Sequence, residues 1–461
     1  MNILLISANI ASTPHEVYPI GLSMVAAALH NAGHRVFQFD FLQHGKSIDK
    51  LILTVEHFNP DLIGISIRNI DNVNLVHELH YIHPVKTIAQ TLKAQTRALI
   101  VLGGSGFSLM PEEILNDVPA DYGISGEGES AMVEFAAAME KGLLPDTKLI
   151  RSRSNLCGND IPSARYDAAI MHYYLASGRT GSVQTKRGCP HGCVYCAYPS
   201  LEGKTIRCRD TKAVVDDIQT LTKHFNAKFI FFTDSVFNDD EGRYLYIIRE
   251  MRRRHIVVPW TAFFRPSGLN DEKVLMMKQT GLAAAEIGAD APTDTTLRGL
   301  GKSFSFDDVV ECNDLFARND ISSSNYFMFG CPGETQNTVD EGIENITKLQ
   351  NTVSFIFMGI RIIKATPLAN IAISEGLLTP NQNLLTPVYY IAPGLDRRWL
   401  EKTLRDAFKG TKRCVFPPDS LDRSLQLMHS LGYAGSIWDI LIPKKEKSNR
   451  RRGTVKKSPA A

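Results

Sequence analysis

The chain has 461 residues, of which 44% are apolar and 22% charged, with a net charge of +2. That length exceeds one ordinary hydrophobic core and asks for two or three domains, while the apolar share excludes a disordered chain or a disulfide-dependent scaffold. Eight basic residues fall in the last eighteen positions, "KKEKSNRRRGTVKKSPAA", so the remainder is mildly acidic and lacks the basic face that nucleic-acid binding requires.

The start, "MNILLISANI", has neither a basic n-region nor a small-residue cleavage site, and no apolar run reaches the length of a membrane span. A cytoplasmic protein without a transmembrane segment is expected, a setting in which clustered cysteines more often bind metal or catalyse than form disulfides. Over residues 1–145 the runs "NILLIS", "HRVFQF", "DLIGIS", "ALIVLGG" and "DYGIS" read as strands buried on both faces, with amphipathic stretches such as Ile20 to Asn31 and Met132 to Lys141 between them. This predicts a doubly wound, Rossmann-like α/β domain. Ligands on such a sheet sit at the carboxyl ends of the strands, which places Ser66, Arg68, Gly103 and Gly104 beside one crevice.

Residues 146–180 read as a linker, with little periodicity. From 181 to 375 a second series, "SVQTKRGC", "FIFFTDS", "VPWTAFFRP", "AAAEIGAD", "SSSNYFMFG" and "VSFIFMGIR", gives six strand-helix units and predicts a partial (β/α)6 TIM-type barrel. Residues 376–443 read as a small helical C-terminal region, with amphipathic helices around Asp396 to Phe408 and Leu421 to Leu431. Residues 444–461 read as a basic disordered tail.

Immediately after the first barrel strand stands "RGCPHGCVYC". Cys189, Cys193 and Cys196 have the spacing C-x-x-x-C-x-x-C, and Gly188 and Gly192 allow the loop to turn all three sulfurs to one centre. A structural zinc site wants four closed ligands, for which His191, His172 or Cys208 are available. A four-iron cluster on three thiolates instead keeps one iron open to a small molecule. Cys157, Cys312 and Cys414 read as packing thiols. His77, His80 and His83 lack the i, i+4 zinc spacing.

The cysteine spacing after strand one of a β/α barrel resembles the radical S-adenosylmethionine (radical SAM) enzymes. "TKRGCPHGCVYCAYPSLEG", "FFTDSVFND", "IGADAPTD", "FMFGCPGET" and "RIIKATPLANIAISEGLL" are similar to successive blocks of the subfamily that carries an N-terminal cobalamin-binding domain. So are "YPIGLSMVAAALHNAGHRV", "VLGGSGFSLMPEEIL" and "ISGEGES" in the first domain. The resemblance covers most of residues 1–378. It implies a 4Fe-4S cluster on Cys189, Cys193 and Cys196, with S-adenosylmethionine on the open iron and Tyr195 near its adenine. Asp234, Arg265 and Asp290 are candidate holders of the sulfonium substrate, with helix capping or a structural ion pair as the alternative for each. Cys331, before "PGET" at a strand end, is a candidate hydrogen-atom donor or a packing residue.

The same resemblance implies cobalamin in the first domain, with Ser66, Arg68, Gly103 and Gly104 beside it. One departure is clear: in place of the histidine-bearing D-x-H-x-x-G motif the chain has "DFLQHG", with Asp40, His44 and Gly45 at another spacing, so His44 is not expected to ligate cobalt. The activity implied is reductive cleavage of S-adenosylmethionine to a 5′-deoxyadenosyl radical, with methylation of an unactivated sp3 carbon through cobalamin. The alternative is a radical cyclisation, rearrangement or C-C coupling with cobalamin as a redox partner or absent. A non-enzymatic cobalamin or cluster sensor fits poorly with a complete cluster loop and six barrel units. A tRNA methylthiotransferase needs N-terminal cysteines, and residues 1–156 have none. An electron donor such as flavodoxin or ferredoxin is implied. "YPSLEG" and "RNIDN" resemble relatives associated with lipid or hopanoid biosynthesis, so a small-molecule or lipid-like substrate is expected.

Overall fold

A computed structural model describes residues 1–13, 16–153 and 155–442; the basic tail at 444–461 lies outside the described residues. Strands β1 (Asn2–Ser7), β2 (Arg35–Asp40), β3 (Leu62–Ser66), β4 (Leu99–Gly103), β5 (Tyr122–Ser125) and β6 (Leu149–Arg151) form one parallel sheet in the order β2-β1-β3-β4-β5-β6. Alternation along β1 explains the double winding: Ile3 and Leu5 pack under Leu22, Ala26 and Phe135, while Leu4 and Ile6 pack with Val55, Val85 and Ile88 on the other face. The order reverses between β1 and β3, which makes their carboxyl ends the crevice of the domain.

Two elements depart from the reading of residues 146–180 as a linker. The three-residue β6 extends the first sheet, and Ala168–Ala176 is a helix capped by Asp167, whose carboxylate accepts the Ile170 N–H at 3.0 Å. "AAIMHYYLA" is apolar nearly all round, so it shows no amphipathic stripe, and such a helix belongs inside. It wedges between the domains: the Tyr174 ring lies 5.8 Å from Tyr18, and its hydroxyl donates to Asp40 at 3.0 Å.

The second sheet holds β7 (Thr180–Val183), β8 (Phe229–Phe232), β9 (Trp260–Phe264), β10 (Ala284–Asp290), β11 (Ser322–Phe329) and β12 (Thr352–Met358), all parallel and in chain order. These are the six barrel units expected. Helix starts between them carry side-chain caps, with Asp210, Asn270, Ser305 and Thr335 each accepting a backbone N–H three residues on. The C-terminal region has the expected helices at Arg397–Phe408 and Asp422–Ser430, but it is not only helical. A two-residue strand, β13 (Cys414–Val415), joins the barrel sheet beside β12.

The same region closes the barrel floor. Glu286 on β10, 3% exposed, accepts from Trp438 Nε1 at 3.0 Å, Ser436 Oγ at 2.8 Å, Tyr326 Oη at 2.8 Å and Thr261 Oγ1 at 3.3 Å, and also from Ser324. The Trp438 ring lies 5.3 Å from Phe355. Trp438→Ala should therefore lower stability by about 2 kcal/mol, since half-buried aromatic surface and one donor to a buried carboxylate are lost together. Urea unfolding followed by circular dichroism reads this; an unchanged midpoint would show that the floor needs no plug. No helix among the described residues is long and apolar enough to cross a membrane.

Candidate functional site

The cysteine loop is held at its neck by a two-residue antiparallel ladder, Lys186–Arg187 against Arg207–Cys208. Gly188 enters the loop at φ +90°, and a Cβ there would stand 2.1 Å from Thr205 O, so only glycine fits. Gly192 has no such constraint, with nothing within 4 Å of an added Cβ. Gly188 N–H donates to Glu202 at 3.0 Å and Cys189 N–H to Gly203 O at 3.1 Å. Val194 ties the loop to the barrel, donating to Leu300 O at 3.0 Å and accepting from Leu368 N–H at 2.8 Å.

Cys189 is buried, and Cys193 and Cys196 are half-buried. Burial pushes the Cys189 thiol up and the Cys196 thiol up to about 12, and neighbouring sulfurs of the loop add to both shifts. Among the described residues no three metal-binding side chains already surround one point, so the fit to a cluster rests on the donors themselves. They are three sheltered thiols that surrender their protons to a metal. Of the other candidate ligands for a zinc site, the His172 ring packs 6.1 Å from Phe225, and Cys208 stands in the neck ladder opposite Lys186.

Three of the residues expected to hold S-adenosylmethionine converge beside this loop. Tyr195 Oη donates to Asp290 Oδ2 at 2.7 Å, and Lys302 Nζ bonds the same carboxylate oxygen. Lys302 also lies 3.3 Å from Tyr195 Oη, 5.5 Å over the Tyr195 ring and 5.7 Å over the Phe304 ring. Burial works against the Lys302 charge, yet Asp290 and Cys193 beside it hold its pKa above the ordinary range. Asp290 ends β10 with φ +66° after a register shift, a backbone conformation that non-glycine residues rarely adopt and that turns its carboxylate to this cluster. Arg265 follows β9, reaching Asp240 at 3.2 Å and Ser303 Oγ at 2.7 Å and stacking over Phe304 at 5.7 Å.

Asp234 and Cys331 stand differently. Asp234 is 1% exposed and accepts from Thr185 N–H at 2.7 Å, Thr185 Oγ1 at 2.5 Å and Lys186 N–H at 3.2 Å, so it grips the strand that leads into the cysteine loop. Cys331 is fully buried and its Sγ donates to Met328 O at 3.2 Å. Behind it Glu334 accepts the N–H groups of Gly330 and Cys331; burial raises its carboxyl to about 7, and its second oxygen is buried without a hydrogen bond.

In the first domain, Ser66 and Gly103 are register partners at the carboxyl ends of β3 and β4. Gly104, at φ +96°, lets the chain pass so close that a Cβ would meet Ile67 O at 2.5 Å and Ser66 Oγ at 2.9 Å. Arg68 makes no ion pair among the described residues, burial lowers its pKa, and Tyr174, Tyr198 and Tyr81 stand near it. The short helix Ser105–Leu109, whose Ser105 Oγ donates to Arg68 O at 2.8 Å, packs against Tyr198–Leu201 just after the cysteine loop, so this edge of the first crevice meets the second. A buried Glu16 oxygen, in the loop after β1, has no hydrogen-bond partner, a polar orphan suited to a ligand rich in amide donors. Such an orphan at the crevice fits cobalamin. The His44 ring is stacked on Phe39 of the edge strand at 4.3 Å.

Sequence reasoning missed Lys302 and the acids that join the domains. Arg187, directly before Gly188, pairs with Glu129 at 2.5 Å and Glu127 at 3.6 Å, and Arg207 pairs with Glu127 at 2.5 Å. Both acids lie in "GEGES", at the carboxyl end of β5. Two acids flanking a glycine at a strand end were the available signal. On another side Arg361 pairs with Asp71 at 2.8 Å, both buried.

Comparison with known proteins bears on both domains. The B12 binding domain family matches residues 6–136, and the radical SAM superfamily matches residues 183–346. Tryptophan 2-C-methyltransferase of Streptomyces laurentii is 24% identical over 80% of this chain and 74% of its own. Anaerobic magnesium-protoporphyrin IX monomethyl ester cyclase of Rubrivivax gelatinosus is 23% identical over 74% of this chain and 64% of its own. Among solved structures, the radical SAM methyltransferase TsrM of Kitasatospora setae, with tryptophan and a SAM analogue bound, shares the fold at a TM-score of 0.82. It is 22% identical over 95% of this chain and 97% of that one. With both domains matched in order, the chain belongs to the cobalamin-binding radical SAM enzymes, whose cofactors are a 4Fe-4S cluster, S-adenosylmethionine and cobalamin.

Proposed function

We propose that the protein transfers a methyl group from S-adenosylmethionine to carbon in a small-molecule or lipid-like substrate. The observation that carries this reading is the facing of the two crevices: the helix Ser105–Leu109, at the carboxyl end of the cobalamin-domain sheet, packs against Tyr198–Leu201, which begins two residues beyond the last cysteine of the cluster loop. A substrate between them reaches both cofactors. Cys189, Cys193 and Cys196 hold the cluster, and Tyr195, Asp290, Lys302 and Arg265 orient the sulfonium nucleotide. Asp234 positions the strand before the loop. Ser66, Arg68, Gly103 and Gly104 line the cobalamin site. Bound together, the cofactors supply one-electron cleavage of the sulfonium and a transferable methyl; the chain supplies placement and exclusion of water.

Two relatives named as methyltransferases support this reading, and the named cyclase supports the rival in which no methyl moves. The carbon acceptor decides how the radical is used. An unactivated sp3 carbon must first lose hydrogen to the 5′-deoxyadenosyl radical, whereas an electron-rich sp2 carbon can attack a methyl group as an electron-pair nucleophile. We take the sp3 course as the reading, with flavodoxin or ferredoxin as donor and the cytoplasm as the setting.

The test is anaerobic reconstitution with methyl-labelled S-adenosylmethionine, a reductant and extract from a strain lacking the protein. One labelled methyl in a product and one 5′-deoxyadenosine per turnover are expected. Label transfer without the nucleoside would move the acceptor to sp2 carbon. Nucleoside without label transfer would establish the cyclase-type rival.

A further inference from the structure

The barrel floor is filled, but the space above it is not. Below, Val353, Phe355, Val415 and Ile442 form a small core with Trp438 and Leu441 against it. Above, Phe263 on β9 is 37% exposed, although its neighbours Ala262 and Phe264 are 0% and 1% exposed. Residues at this period face the lumen: Thr261, two positions before Phe263, bonds Glu286 there, whereas Phe264 packs outward on Phe316 of a helix. Closed barrels fill this layer with bulky side chains. Here the layer is left open.

Aromatic rings make the wall of that opening. Phe231 lies 5.3 Å from Phe263 and Phe263 lies 6.4 Å from Tyr326, both in edge geometry, and Tyr326 in turn stacks at 5.5 Å on Phe355 of the floor. At Gly288 on β10 there is no side chain, and an added Cβ would meet nothing closer than 3.7 Å. Packing therefore does not demand glycine at this position. The charged group of the floor, Glu286, is saturated by five donors, and Asp290 is bonded to Tyr195 and Lys302. A charge entering this space would lose its water and find no free counter-charge.

We infer that the lumen beneath the sulfonium site takes an uncharged, flat apolar ring of the substrate, against Phe231, Phe263 and Tyr326, in the room left at Gly288. The inference rests on the reading of Tyr195, Asp290 and Lys302 as the sulfonium end. It names the class of substrate: an aromatic or fused-ring apolar body, with any charge held outside the barrel.

Equilibrium dialysis of the reconstituted holoenzyme tests this with two probes of one shape, 2-naphthol and 2-naphthoate, S-adenosylmethionine binding being read in parallel. Naphthol is expected to bind at least about tenfold more tightly than naphthoate, and Phe263→Ala to weaken naphthol about tenfold, the scale of a lost aromatic contact. Gly288→Val fills the gap from the opposite side and should weaken naphthol as much. Absence of naphthol binding, equal binding of both probes, or two variants that bind as the parent does would each overturn the inference. Retention of this pattern by an enzyme that moves no methyl would sink the proposed reaction and leave the pocket standing.

Discussion

Cys193→Ala is expected to leave a folded chain that binds no cluster and releases no 5′-deoxyadenosine above background. The loop does not depend on this thiol for its shape. Its neck is held by the ladder at Lys186–Arg187, by Gly188 in a conformation only glycine adopts, and by Glu202 and Gly203 on the facing side. Its middle is tied to Leu300 and Leu368 through the backbone of Val194. Removing one of three sulfurs therefore strikes the metal and spares the backbone. A cluster on two thiolates has two undercoordinated irons and does not persist. Iron analysis after anaerobic reconstitution gives the first reading and nucleoside release the second. Cys208→Ala and Cys157→Ala serve as controls that keep both, since neither cysteine lies in the loop. One zinc per chain in the parent protein, lost in Cys208→Ala, would instead establish a four-ligand structural site.

What the sequence disclosed and what it withheld divide along one physical line. Strands covered on both faces are largely apolar, so β1, β3 and β4 and barrel strands such as β8 and β12 announce themselves as runs, and the cysteine loop announces itself by spacing. Elements fixed by partners far along the chain leave no local mark. The strands β6 and β13 have three and two residues, too few to show a period, and form because an open sheet edge lies beside them. The helix Ala168–Ala176 hides for the opposite reason, being apolar on every side. Among candidate site residues, Tyr195 stands out through its place before the last cysteine and Arg265 and Asp290 at strand ends, but Lys302, twelve positions beyond Asp290, becomes visible only when the chain brings its amine back to that carboxylate. Asp234 reads as a strand-end holder of the sulfonium substrate, with helix capping or a structural ion pair as the alternative, and its hydrogen bonds from Thr185 and Lys186 leave no mark in the sequence.

The domain junction yields the other large effect. Arg187 is 7% exposed, and its partners Glu127 and Glu129 are 8% and 6% exposed, so the charges were taken from water to make this contact. Removing the cation alone leaves at least one carboxylate buried without compensation, because Arg207 pairs with Glu127 and Glu129 has Arg187. Arg187→Met should thus cost about 3–5 kcal/mol and lower Tm by about 3–5 °C for a chain of this length. Little of the loss should return at high salt, since counterions cannot reach the site. Adding Glu129→Met removes the stranded charge as well as its partner and should restore most of the stability, as replacement of buried ion pairs by apolar side chains of similar volume commonly does. Thermal unfolding of the two variants beside the parent decides the matter. A double variant no better than the single one would mean that Arg187 acts through its bonds to Gln184 beside the loop neck and to Met24 of the first domain, and that the acids of the cobalamin domain merely lie nearby.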